Sequence, residues 1–117
     1  MRRFAISDKF EANFVEDESS RSGEVYFVER NNGGGANLTP IARFFAWRPE
    51  YIEGSHPHWR IDCFVRKHTL APKAKWLGKA LTEAIIQNGI CDPPIWTSWH
   101  SSEELQGEAY GEVFDLD

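Results

Sequence analysis

The sequence predicts an α+β fold: an antiparallel sheet of three to five strands with one main helix packed on one face. Three observations predict it. Period-two alternation recurs in the first two thirds of the chain, one strongly helical stretch follows at about 72–88, and the links between the strand segments are short. At 117 residues, with 41% hydrophobic and 14% aromatic composition, the chain fits a single domain spanning 1–117. Five Trp and eight Phe supply large apolar area for its core.

Phe10, Ala12 and Phe14 alternate with polar neighbours and predict a short first strand. Residues 16–23 read as a polar connector closed by Gly23. Glu24–Arg30 is a β-rich strand with Val25 and Phe27 on one face and Tyr26 and Val28 on the other. The Gly33-Gly34-Gly35 loop is followed by a strand over Pro40–Arg48, with Ile41, Phe45 and Trp47 opposite Ala42, Phe44 and Ala46. A longer loop with two prolines leads to His58–Lys67, where Trp59, Ile61, Cys63 and Val65 alternate with Arg60, Asp62, Phe64 and Arg66. Short links make a central β-β-β meander the economical topology, with Arg60, Asp62 and Arg66 on its wet face.

In the helix, Leu77, Leu81, Ala84 and Ile85 recur at buried-stripe spacing, joined by Ala74, while Lys75, Lys79, Thr82 and Glu83 face water. Pro72 suits its first turn, and Gly89 followed by Asp92-Pro93-Pro94 ends it. Beyond it, Ile95–His100 reads as a short strand, Ser102–Leu105 as a helix start, and Glu112–Asp117 as a strand or acidic tail.

Chemistry-bearing motifs are sparse. His56-x-His58 resembles half of a zinc site, but Pro57 intervenes and no second ligand pair follows, so no metal or other cofactor is expected. Cys63 lies on the apolar phase of its strand and Cys91 beyond a helix C-terminus, neither a setting that activates a thiol. The triple glycine opens no helix and lacks the spacing of a nucleotide-binding loop. The N-terminus carries cations without an apolar run, and no segment reaches membrane-spanning length, so the expectation is a cytoplasmic protein with no membrane partner.

Charge is sharply divided along the chain. Residues 60–79 carry a formal +5, residues 80–117 a formal −8 with no cation, and residues 1–59 −2, giving the net charge of −5. The expected function is that of a non-enzymatic inhibitor that covers a basic, nucleic-acid-handling site on a partner protein, such as a nuclease or nucleoprotein complex. Its acidic, aromatic contact surface would comprise Trp96, Trp99, Glu103, Glu104, Glu108 and Tyr110. Immunity proteins that neutralise nuclease toxins and phage-encoded antagonists of host defence share this physical character. That is an analogy of size and charge, not of sequence. Two alternatives use other residues: a small enzyme such as a nuclease built on His56, His58 or His100, or a nucleic-acid-binding module built on Arg60, Arg66, Lys73, Lys75 and Lys79. A pI near 5.3 counts against the latter.

Overall fold

The structure, a computed structural model, describes residues 1–48 and 58–101 and the backbone of 112–114. Eight elements follow in chain order. They are β1 (Arg2–Ala5), β2 (Phe10–Glu16), β3 (Ser20–Arg30), β4 (Ala36–Trp47), β5 (Trp59–Val65), α1 (Ala74–Gln87), β6 (Ile95–Ser101) and β7 (Glu112–Phe114). The strands form one sheet in which each lies beside its chain neighbour, β1 through β7. The α+β class therefore holds, but the sheet is larger than expected and mixed. β5 and β6 run parallel, because α1 carries the chain back to the end of the sheet from which β5 began, and every other pair is antiparallel. Among the described residues no helix is long and apolar enough to cross a membrane.

The two early strands are held by their connections as much as by their side chains. β1 escapes a hydrophobicity reading because only Phe4 is buried in it. Its register is fixed where Ile6 and Ser7 both donate to the Phe10 carbonyl. The connector at 16–23 is a tight turn followed by strand. The Asp17 carboxylate accepts from the amides of Ser19 and Ser20 at 2.9 and 2.8 Å, which lowers its pKa, the Ser19 amide first. β3 then begins at Ser20, and Ser20–Gly23 pair with Phe44–Trp47 in the ladder.

β4 is irregular at its middle. The ladder with β3 shifts between Val25 and Tyr26, leaving Ile41 as an extra residue, so Ile41 and Ala42 are both buried in succession. Pro40, which has no N–H to give a ladder, sits next to the shift. Beyond it Ala42, Phe44 and Ala46 point inward and Phe45 and Trp47 outward.

α1 covers one face of the sheet, over β5 and β6. Ala74, Leu77, Leu81, Ala84 and Ile85 form its buried stripe as expected, but Thr82 belongs to it as well. Its hydroxyl donates to the Gly78 carbonyl at 2.8 Å and shares a 2.7 Å hydrogen bond with Thr97 of β6. A Cβ at Gly78 would stand 3.1 Å from the Trp99 ring, so the glycine is what lets helix and sheet approach there. The helix starts at Ala74, two residues later than Pro72 suggested, with Lys73 as N-cap and no side-chain cap bond. It ends in a Schellman motif: Gly89, at φ +66°, donates to Ile86 and Ile90 donates to Ile85.

Candidate interface on the open sheet face

The same alternation that feeds the core loads the opposite face. With Trp59, Ile61, Cys63 and Val65 directed under the helix, their neighbours on β5 must project the other way. Register then aligns three rows across β4, β5 and β6. One is Trp47, Arg60, Trp96; the next Phe45, Asp62, Ser98; the third Arg43, Phe64, His100. No described element crosses this face. Phe45, Trp47, Phe64 and Trp96 are each 40–43% exposed on it, a level well above the buried aromatics of the other face.

The side chains are ordered against one another. His100 stacks on Phe64 with centroids 4.7 Å apart and planes 14° apart, and Phe64 meets Phe45 edge-on at 6.3 Å. Arg43 lies over the Phe45 ring at 5.7 Å and Arg60 over the Trp47 ring at 5.9 Å. The Trp47 indole N–H donates to Asp62 Oδ2 at 3.4 Å, and His100 Nε2 is 3.6 Å from Asp62 Oδ1. Arg66 pairs with Glu24 on the neighbouring part of the face at 3.4 Å. Between β3 and β5 the surface dips into a cavity of about 530 Å³, lined by Ser20, Ser22, Phe45, Trp47, Asp62 and Phe64 among others.

The structure sorts the residues singled out by sequence. Trp96 lies on the open face, beside Arg60. Trp99 does not: it is 6% exposed and packed against Gly78, since it shares the inward phase of β6 with Ile95 and Thr97. The partner-contact role expected of Trp99 is thus replaced by a core role. Glu103, Glu104, Glu108 and Tyr110 lie outside the described residues, as does His56.

The basic segment at 60–79 does not form one patch. Arg60 and Arg66 belong to the open face, whereas Lys73 and Lys75 are exposed on the helix side and Lys79 is half-buried there. His58 precedes β5, and His100 lies beside Phe64, six residues further along. At ~3.3 Å per residue the two are about 20 Å apart, too far to share one reacting centre. Among the described residues no three His, Cys, Asp or Glu side chains gather as metal ligands.

Both thiols are free and buried. Burial, with the Asp62 charge adding to it, pushes Cys63 up to about 12. Burial likewise raises Cys91 to about 12, with Arg21 and Arg48 partly offsetting and Asp92 adding.

Phe45, Trp47, Phe64, Arg43 and Asp62 were not foreseen as one surface. Their signal was the phase of β5: once Ile61 and Cys63 are inward, Phe64 is outward, a large aromatic among charged residues. No protein-family model matches the chain, and no curated protein or solved structure is detectably similar to it.

Proposed function

We propose that this chain is a non-enzymatic module that binds another protein through the open sheet face and inhibits it by covering a basic site. The observation that carries the binding surface is the grouping of four large aromatic side chains, 40–43% exposed, on one face of one sheet. Trp, Phe and Arg are the residues enriched at the centres of protein interfaces, and here they alternate along three adjacent strands. In sequence, the stretch that follows β6 is acidic, with Glu103, Glu104 and Glu108, in a chain of net charge −5. Such charge favours encounter with a basic protein and resists a polyanion.

Arg60 between Trp47 and Trp96 also suits a single strand of nucleic acid, with bases on the rings and phosphates on the guanidiniums. Against that, one face of the Phe45, Trp47 and Phe64 rings is already taken by Arg43, Arg60 and His100, and the Asp62 carboxylate stands at the centre.

The test compares the wild-type chain with a Phe45→Ser, Phe64→Ser, Trp96→Ser variant as bait in extract from the native cell. The expected outcome is a stoichiometric protein partner held by the wild type, inhibited by it in its own assay, and lost from the variant at unchanged circular dichroism. Equal capture by both baits would remove the open face from the interface. Steeply salt-dependent binding of a labelled single-stranded oligonucleotide, with no protein partner, would replace the protein reading with the nucleic-acid one.

A further inference from the structure

We infer that the cavity beside Asp62 is a socket for one arginine side chain of the partner, an inference that rests on the open face being the docking surface. The cavity of about 530 Å³ is lined by Phe45, Trp47 and Phe64, and among the described residues Asp62 is the one carboxylate in its lining. Arg21 lines it too, but its guanidinium is engaged elsewhere, with Nε 3.3 Å from Glu16 and Cζ 5.1 Å over the Trp59 ring. Aromatic π faces and a carboxylate converging on one space select a cation. Among the described residues, the only ion-pair partner of Asp62 is His100, at 3.6 Å. Among the described residues its second oxygen takes only a long 3.4 Å bond from the Trp47 indole, leaving lone pairs for a stronger donor.

The surroundings choose between the two cationic side chains. Arg43 and Arg60, at 5.7 and 5.9 Å over their rings, show that these π faces accept a guanidinium in this geometry. Their charges also oppose any further cation, so the incoming group must add directional bonds to Coulomb attraction. A guanidinium does so, giving two parallel N–H donors to Asp62 while its plane lies against an aromatic ring. A lysine ammonium offers a compact, strongly hydrated charge that cannot stack. An arginine anchor is also what a basic, nucleic-acid-handling surface presents most readily to a carboxylate set among aromatic rings.

The probe is Nα-acetyl-arginine amide, titrated while the Trp47 indole N–H resonance is followed, its assignment fixed by its loss in Trp47→Phe. The expected result is a saturable shift with a Kd of roughly 1–10 mM, the affinity that a ligand of this size can reach. Nα-acetyl-lysine amide should bind at least about fivefold more weakly, lacking the second parallel bond. Asp62→Asn should weaken the arginine derivative by more than about tenfold, as loss of a charge-assisted pair requires, and Phe64→Leu should weaken it in a fold with an intact carboxylate. No saturation below ~100 mM, an equal response in Asp62→Asn, or tighter saturation by uridine monophosphate would each overturn the socket. The two levels separate cleanly in the bait experiment. If Asp62→Asn keeps the partner that the triple aromatic variant loses, the socket falls and the docking face stands. If neither variant changes capture, the docking face itself is refuted.

Discussion

Thr82 and Thr97 meet hydroxyl to hydroxyl under the helix, both fully buried, and the third group in the chain is the Gly78 carbonyl. Since Thr82 donates to that carbonyl, Thr97 must donate to Thr82. The two threonines are therefore unequal. Thr82→Val strands the Thr97 hydroxyl and should cost about 1–3 kcal/mol, whereas Thr97→Val leaves the Thr82 donation intact and should cost less than about 1 kcal/mol. The double valine variant should lose less than the two single changes combined, which urea unfolding in a double-mutant cycle would measure. Neither residue could be placed this way from sequence, because a threonine on a helical stripe reads as polar until its partner on another element is known. Cys63 was legible, since strand phase alone put it inside. With its folded thiol pushed up to about 12, it stays protonated where the unfolded thiol, ordinarily near ~8.5, ionises. The unfolded state then binds fewer protons, so stability should fall as pH rises from about 9 toward 12, by at most ~1.4 kcal/mol per pH unit for this group. Denaturant melts at pH 8 and pH 10.5, compared between wild type and Cys63→Ala, read that slope; thiol-specific reagent at pH 8 should label the unfolded chain only.

At the scale of elements, α1 was the most readable feature, and its two ends differ in workmanship. The C-terminal end is closed three ways, by Gly89, by the Ile90 amide and by the Asn88 side chain donating to Ala84 at 2.7 Å. The N-terminal end has Lys73 where an oxygen-bearing side chain would cap, and no acid in the first turn. Lys73→Asp supplies both a cap acceptor and a charge of the favourable sign, and should raise stability by about 0.5–2 kcal/mol in thermal or urea unfolding. The strands were readable in proportion to their alternation. β2 and β5 could be seen in the chain, with Phe10, Ala12 and Phe14 in one and Trp59 to Val65 in the other. The outer part of β3, from Ser20 to Gly23, could not, because its place is set by backbone pairing with β4 and by a close approach that would drive a Cβ at Gly23 into the Asn13 carbonyl. The inward and outward sides of β4 were separable as sets, yet Ile41 went with the wrong set because a bulge breaks the alternation that a sequence reading assumes.

For the whole molecule, the charge division takes on a different form once the fold is in place. All thirteen Lys and Arg lie in residues 1–48 and 58–101, which hold ten of the eighteen Asp and Glu and so carry a formal +3. The acidic excess belongs to residues 49–57 and 102–117, next to the strands that build the aromatic face in sequence. The basic segment that looked continuous is parted by the sheet, because a strand and a helix that follow one another here send Arg60 and Lys75 to opposite sides. Of the candidate surface, Trp96, Arg60 and Arg66 could be picked out from the chain. The rows that join them to Trp47, Phe45 and Phe64 required the registers of three strands, and register between strands separated by long or unread connections is not written in any one segment.

The order of the strands has a consequence for how the chain reaches this state. Five of them precede the helix, and every pair up to β5 joins immediate neighbours, so the meander can assemble from its N-terminal end as the chain is made. Until Ala74–Gln87 arrives, that ribbon shows solvent two greasy sides: Phe14, Phe44, Trp59 and Ile61 on one, Phe45, Trp47 and Phe64 on the other. The helix covers the first over β5 and, among the described elements, leaves the second open. The interval between β5 and α1 therefore exposes apolar side chains on both sides of the ribbon, and the mature chain still shows Phe45, Trp47 and Phe64, 40–43% exposed, on one of them.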